Sequence, residues 1–201
     1  MKKEQTTNSF KRPFGVYLSI AILLIFTIIF VAKGNYEFLT YTLTIGILIW
    51  VIAKTDKIFH YPQIAKIGFA VWLLLHFLGG SIKIGATRLY DFMLIPILGE
   101  PLNIFRYDQF MHAFCYFVFI FFVYAIVNGS LKEKANKWII AFIIILIAEG
   151  IGAVNEIIEL STVVFFNSQG VGNYFNNALD LVFNFIGACI GAWIILRKRN
   201  R

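Results

Sequence analysis

The sequence predicts an all-α membrane protein, a polytopic bundle of six transmembrane helices. Of its 201 residues, 59% are hydrophobic and only 14% are charged, whereas a soluble domain is typically about 45–50% apolar and about 25% charged. The apolar residues fall in long runs, and six of these reach the minimum of about 17 residues that a helix needs to cross a membrane. We therefore expect one integral membrane domain over residues 1–201, with no second soluble domain.

The six predicted spans follow one another along the whole chain. They cover residues 14–32, 36–53, 64–80, 106–127, 138–158 and 177–196. The first apolar run is too long for a signal peptide, and no small-x-small cleavage site follows it, which predicts a retained anchor. The only cysteines, Cys115 and Cys189, lie inside apolar runs, so we expect packing residues and no disulfide.

The distribution of lysine and arginine predicts the orientation. With the N-terminus in the cytoplasm, only four of the 18 basic residues lie outside, which are Lys33, Lys83, Arg88 and Arg106. The positive-inside rule then assigns both termini to the cytoplasm and the protein to the cell membrane. The basic residues that give the net charge of +7 lie at the ends of apolar segments. We therefore expect membrane lipids as partners and no nucleic acid.

Two long connections are predicted on the outer side, residues 81–105 and 160–176. The first contains the apolar stretch FMLIPILGEPL, which is too short and too broken to span and is expected in the interface or dipping back into the bundle. The second is rich in glycine and asparagine, which favour irregular backbone. Long loops on one face are where function is commonly carried.

Polar residues inside the spans mark the candidate binding site, because such groups are costly at membrane depth and face a bundle interior or a wet cavity. The candidates are His76, Arg106, Asp108, His112, Glu149, Glu156, Asp180 and Asn184. At about 1.5 Å of rise per residue, the seven candidates other than Arg106 fall between the midplane and the outer surface of a core about 30 Å thick. Their agreement in depth predicts one site rather than scattered substitutions.

Helical spacing collects these residues on three faces. The stripes are Asp108 and His112 on the fourth span; Glu149, Gly152, Glu156 and Glu159 on the fifth; and Asp180, Asn184, Gly187 and Gly191 on the sixth. Glycines next to Asn184 would let another helix approach closely. Packing the three faces together predicts an acidic cavity open to the outer side, with His76 as a candidate fourth wall.

Structural roles compete with function at several positions. Asn177 and Asp180 resemble an N-terminal capping arrangement, and Asp108 suits the positive end of a helix, with Arg106 as an ion-pair partner. The two histidines could be satisfied by hydrogen bonds within the bundle. Glu149 has the weakest structural explanation, because it lies mid-helix with no basic residue in its own turn.

Charge balance constrains the predicted cavity. Its four carboxylates have Arg106 as the only permanent counter-charge nearby, and burial and mutual repulsion both disfavour ionised carboxylates. Some must be protonated, or a cation must be present, or the cavity must be very wet. A divalent metal, a cationic ligand or proton exchange would each resolve the imbalance, and the cofactor remains undetermined.

Three stretches carry a family resemblance: RYDQFMHAFCYFVF, AEGIGAVNEIIEL and GVGNYFNNALDLVFNFIGACIGA. They resemble the bacterial YjdF-type inner-membrane proteins and, more distantly, the VanZ-like membrane proteins, over roughly residues 76–191. The shared pattern is an Asp and a His opening one helix, acids on the next, and Asp-x-x-x-Asn-x-x-Gly on a third. The YjdF-type family mostly lacks an assigned activity, and the resemblance to VanZ-like proteins implies a role in the cell envelope and glycopeptide-antibiotic resistance.

Three functions are compatible with these patterns. The first is binding of a lipid headgroup or envelope ligand, since no nucleophile–base–orienter set is recognised. The second is an intramembrane enzyme on lipid-linked substrates at the outer leaflet, with His112 and nearby acids holding a metal or Glu149 acting as general acid or base. The third is a small proton-coupled carrier, although all candidate groups lie in the outer half. We rank them in that order.

Overall fold

Six long helices form the framework of the computed structural model, which describes residues 13–100, 102–129, 131, 135–166 and 174–199. They are α1 Phe14–Lys33, α2 Tyr36–Phe59, α3 Gln63–Ser81, α4 Tyr107–Asn128, α5 Lys137–Phe166 and α6 Tyr174–Arg199. All six are long and apolar enough to cross a membrane. The predicted all-α bundle of six spans is therefore confirmed. Of the basic residues used for the orientation, Lys2, Lys3, Lys11, Arg12, Lys132, Lys134 and Arg201 lie outside the described residues.

Several helices extend beyond the apolar runs that predicted them. Helix α2 continues past residue 53 to Phe59, where His60 closes it in a left-handed conformation (φ 50°) and is exposed. Helix α5 continues past residue 158 to Phe166, and α6 already begins at Tyr174. The predicted loop over residues 160–176 is therefore wrong in its bounds, because hydropathy marks the hydrocarbon core and not the end of helical hydrogen bonding. Its residues 167–173 lie outside the described residues.

The connection between α3 and α4 contains two antiparallel hairpins. Strands β1 (Lys83–Ile84) and β2 (Thr87–Arg88) form the first, and β3 (Met93–Leu98) and β4 (Ile104–Arg106) form the second. The side chains of β3 are mostly exposed, so this stretch does not dip back into the bundle. The interfacial alternative for its apolar side chains stays a prediction. A 3-10 turn between the hairpins packs against α3 and α4.

Helix packing divides the bundle into two groups joined by α3 and α4. Helix α1 packs against α2 and α3, whereas α4, α5 and α6 pack against one another, most extensively α4 against α6. Small residues make that contact close, as predicted. A Cβ at Gly187 would overlap the carbonyl oxygen of Ala113, and one at Gly191 would lie 2.9 Å from the carbonyl oxygen of Phe117.

An ion pair is buried at the other end of the bundle. Lys66, counted above among the basic residues of the inner side, is only 2% exposed in the first turn of α3. Its Nζ donates to Asp56 Oδ2 at 2.8 Å. Gly15 of α1 lies directly against the Lys66 backbone. The Lys66–Asp56 ion pair therefore connects α3 to α2 at the point where α1 packs on α3.

Candidate functional site

His112 is the centre of a polar cluster between α4 and α6. Its Nε2 lies 3.6 Å from Oδ1 of Asp108, one turn earlier on α4, and 3.9 Å from Oδ1 of Asp180 on α6. Its Nδ1–H donates to Oδ1 of Asn184 at 3.0 Å. Asp180 and Asn184 are 1% and 0% exposed. Four residues predicted from their spacing thus lie together at the contact between two helices.

Asn176 belongs to this cluster, although the sequence predicts it in the loop over residues 160–176. Its Nδ2 donates to Oδ2 of Asp108 at 3.1 Å and to Oδ2 of Asp180 at 2.6 Å. One amide therefore holds two carboxylates from different helices. The signal was present in the sequence, because Asn176, Asp180 and Asn184 are spaced four apart and share a helix face.

The capping interpretation of Asp180 is wrong. Helix α6 begins at Tyr174, so Asn177 and Asp180 both lie inside the helix and not at its start. Asp108 does lie in the first turn of α4, where a carboxylate suits the helix dipole. Its expected ion pair with Arg106 does not form among the described residues. The Arg106 backbone N–H instead donates to Gln109 Oε1 at 3.0 Å.

Helix α5 adds two acids to the cluster. Ligand atoms of His112, Glu156 and Glu159 lie within 4.8 Å of one another. Glu156 is 9% exposed, and neither of its carboxylate oxygens receives a hydrogen bond from the described part of the chain. Glu159 accepts from Nδ2 of Asn155 at 2.9 Å. Gly152 lets α5 come close, because a Cβ there would lie 2.8 Å from Asn184 Nδ2.

Glu149 is not brought to the cluster. It lies two turns from Glu156 along α5, outside both groups of ligand-type side chains that surround His112. One of its carboxylate oxygens is buried without a hydrogen-bond partner among the described residues. Glu149, the acid with the weakest structural explanation in the sequence, therefore lies apart from the residues grouped with it.

His76 lies on α3 among aromatic side chains and does not contact the polar cluster. Its ring stacks on Trp72, with centroids 5.0 Å apart, and its Nδ1 shares a short hydrogen bond with the hydroxyl of Tyr90. Burial raises the pKa of Tyr90 well above its ordinary value, and the carboxylates of Asp108 and Glu159 raise it further. Tyr90 is therefore neutral and available to His76 as a hydrogen-bond partner.

Tyr90→Phe is expected to lower the free energy of unfolding by about 1–3 kcal/mol, the cost of leaving a buried polar atom unpaired. His76 Nε2 already has no partner among the described residues, and the substitution would leave Nδ1 unpaired as well. Thermal unfolding in detergent micelles measures the change.

Tyr17→Phe, at a 65% exposed position of α1, is the matched control and should leave stability unchanged. The two variants should also differ in pH dependence. Because the pKa of Tyr90 is raised on folding, the unfolded chain loses this proton first, near pH 10. Stability should fall as the pH rises above that value, and less steeply in Tyr90→Phe. Equal behaviour of both variants would contradict the assigned role of Tyr90.

A cavity of about 390 Å³ extends from the cluster into the bundle. At one end it is lined by polar side chains, which include His76, Arg106, Asp108, His112 and Glu159. The other end lies between α2 and α5, where the lining is apolar, with Leu48, Val51, Ile151 and Val154 among its residues.

This cavity differs from the predicted one. It was expected on helices four to six, but α2, α3, α4 and α5 line it, together with the connection between α3 and α4 and with Asn176 as a lining residue from α6. Asp180, Asn184, Glu149 and Glu156 do not line it. The acids of α6 are packed into the wall behind Asp108 and His112, because α4 and α6 approach too closely to leave a space between them.

Comparison with known proteins identifies a family and no characterised relative. The family described as predicted membrane protein (DUF2238) matches residues 14–201. A search of curated proteins and a search of solved structures each return no match to the chain. The match covers the spans and the whole cluster. The description of the matching family contains neither the YjdF-type nor the VanZ-like name.

Proposed function

The chain belongs to the DUF2238 family of predicted membrane proteins, and from that premise we propose that it binds an amphiphile. The ligand would be a lipid or a lipid-linked envelope molecule, with its headgroup at the polar end of the cavity and its acyl chain between α2 and α5. The excess of basic residues at the opposite end of the bundle supports an outward-facing polar end, cytoplasmic termini and residence in the cell membrane.

The observation that carries the proposal is the change in chemistry along the cavity. Charged side chains of the lining lie at the hairpin end, whereas the lining around Leu48, Val51 and Phe119 is apolar or aromatic. On α2 the lining extends from Phe38 to Val51, which corresponds to roughly 20 Å along the helix axis. A binding site of about 300–1,000 Å³ is typical for small ligands, so the cavity suits a headgroup with part of one chain.

The packing of the helices supports entry from the bilayer. In the described part of the chain, α2 packs mainly on α1, and α5 packs on α4 and α6. Helices α2 and α5 therefore face each other across the cavity without close packing. A lipid could move laterally between them while its headgroup stays at the membrane surface.

The charges at the polar end favour a headgroup that carries both signs. Arg88 is paired with Asp91 at 3.0 Å, whereas Arg106 forms no ion pair with any described residue. Asp108 and Glu159 provide negative charge on the same lining. A phosphate beside Arg106 and an amine beside Glu159 would be matched to this arrangement, as in a zwitterionic aminophospholipid.

The test is lipid retention by the full chain, measured by native mass spectrometry after exchange into mixed micelles. The micelles contain phosphatidylethanolamine and phosphatidylglycerol with identical acyl chains. We expect preferential retention of phosphatidylethanolamine, and about a tenfold loss of retention, or about 1.4 kcal/mol, in Val154→Trp. That substitution fills the cavity from α5.

Val182→Trp is the matched control. Val154 and Val182 are 54% and 51% exposed, but only Val154 lines the cavity. Glu159→Gln should reduce the preference for the amine headgroup without abolishing binding. Equal lipid retention by Val154→Trp and Val182→Trp would refute the proposal.

An enzyme acting on a lipid-linked substrate is the second candidate, and one observation favours it. Asp108 and His112 belong both to the polar cluster and to the cavity lining, so their side chains would face the headgroup of a bound amphiphile. Turnover of reconstituted lipid-linked substrates, followed by mass spectrometry and lost in His112→Gln, would support this candidate.

A further inference from the structure

We propose that His112, Asp108 and Asp180 bind one divalent transition-metal ion, of the Zn²⁺ or Mn²⁺ type, in the wall of the cavity. This goes beyond amphiphile binding and does not depend on it. The proposal rests on the distances between the three side chains, the hydrogen bonds that orient them and the unpaired carboxylate of Glu156.

The distances fit a shared ion better than a shared proton. Nε2 of His112 lies 3.6 Å from Asp108 Oδ1 and 3.9 Å from Asp180 Oδ1. Hydrogen bonds in proteins are shorter, about 2.7–3.2 Å between N and O. Ligand atoms with bonds of about 2.0–2.2 Å to one ion lie roughly 3–4 Å from each other. All three ligand atoms are within 4.8 Å of one another.

Asn184 sets the tautomer that a metal needs. Because His112 Nδ1–H donates to Asn184 Oδ1 at 3.0 Å, the neutral imidazole presents the lone pair of Nε2 to the two carboxylates. A metal-binding histidine commonly donates its other ring N–H in this way. A lone pair facing two carboxylate oxygens is repulsive unless a metal ion or a proton lies between them, and the distances of 3.6 and 3.9 Å favour the metal ion.

Asn176 orients the carboxylates toward the same point. Its amide donates to the Oδ2 atoms of both Asp108 and Asp180. The two Oδ1 atoms are the ones that face His112. No described residue donates a hydrogen bond to Asp180 Oδ1, although Asp180 is 1% exposed.

Glu156 provides an independent argument for a bound cation. It is more than nine-tenths buried, both of its oxygens lack hydrogen-bond partners in the described part of the chain, and it lies within 4.8 Å of His112. No described lysine or arginine pairs with it or with the two aspartates. A buried carboxylate without a partner is costly, and a divalent ion beside it would compensate its charge.

The ligand set indicates the class of metal. Imidazole suits zinc and other transition metals, and carboxylates suit harder ions such as manganese. One imidazole with two or three carboxylates therefore favours Zn²⁺ or Mn²⁺ over a site built only from oxygen for Ca²⁺ or Mg²⁺. Since Asp108 and His112 line the cavity, an open coordination position would face it.

The experiment uses the purified full chain in detergent, stripped with a chelator and titrated with Zn²⁺ or Mn²⁺ alone by calorimetry. Elemental analysis after desalting gives the stoichiometry. We expect one ion per chain. Asp180→Asn and His112→Gln should each weaken binding by about 100-fold or more, at least the effect of losing an outer-shell partner.

Asn184→Leu tests Asn184 as a positioning residue. It should weaken binding by about 10–100-fold and change the visible spectrum of bound Co²⁺, which a merely structural role would not do. Glu100→Gln, an exposed acid in the connection between α3 and α4, is the control and should bind the ion as the unaltered chain does. Thermal unfolding of each stripped variant establishes that it is folded.

Two results would overturn the proposal: no saturable binding of either ion below millimolar concentration, or equal binding by a folded His112→Gln variant. Val154→Trp separates this proposal from the previous one, because it should lose lipid retention and keep the ion. Failure of lipid binding alone would leave the metal site intact.

Discussion

Gly187→Ala is expected to lower the free energy of unfolding by about 3 kcal/mol, the upper end of the usual cost of overpacking. The added methyl group would overlap the carbonyl oxygen of Ala113 on α4. Because that atom belongs to a helix backbone, it cannot move aside as a flexible side chain would. Helices α4 and α6 would have to separate, and the cluster that joins them would separate with them. Unfolding of the purified protein in mixed micelles by increasing SDS measures the loss.

Gly150→Ala is the control for this prediction. Gly150 also lies in a membrane-spanning helix, but a Cβ there meets no atom within 4 Å. Removing a glycine from a helix interior stabilises the helix by roughly 0.5–1 kcal/mol, so this variant should be unchanged or slightly more stable. Similar destabilisation by both substitutions would mean that the α4–α6 approach is not as tight as the structure has it.

Lys66→Met is expected to cost about 3 kcal/mol, because breaking a buried ion pair by removing one partner leaves the other charge uncompensated. Lys66 is 2% exposed, and its partner Asp56 is 19% exposed. Asp56 Oδ1 already has no hydrogen-bond partner among the described residues. Thermal unfolding in detergent micelles reports the change in stability.

A double-mutant cycle separates the ion pair from the packing of the lysine side chain. Asp56→Asn combined with Lys66→Met removes both charges, and we expect this double variant to be less destabilised than the sum of the single variants. Lys54→Met, at an exposed position of α2, should have little effect. Strict additivity in the cycle would show that the two charges do not stabilise each other.

The sequence predicts the spans well and their ends poorly, for one physical reason. A run of apolar side chains is required to cross the hydrocarbon core, so each span leaves a clear pattern. Helical hydrogen bonding continues past the predicted end of an apolar run, as at Thr55 and Asp56 in α2 and at Leu160 and Ser161 in α5, because a helix does not need apolar side chains to continue. The hairpin strand β3 was missed because its apolar side chains and Pro96 also suit an interfacial segment.

The candidate site was predicted where contacts follow helical periodicity and was missed where they depend on tertiary packing. A spacing of four residues places Asp108 beside His112 and Asp180 beside Asn184 on one helix face, independently of the tertiary packing. The similar depth of the candidate residues does not determine which helix faces pack against each other. Glu149 lies on the same stripe as Glu156 but two turns away, and His76 faces Trp72 and Tyr90 instead of the acids.

The close approach at Gly187 and Gly191 also bears on how the chain is made. A carboxylate in a lone helix at the bilayer centre costs about 2.5–3.5 kcal/mol during insertion. Asp180 belongs to α6, the last of the described helices in chain order. When α6 is synthesised, α4 is already complete and carries His112 and Asp108. Asp180 is therefore synthesised only after His112 and Asp108. Gly187 and Gly191 allow α6 to pack closely against α4 as it inserts.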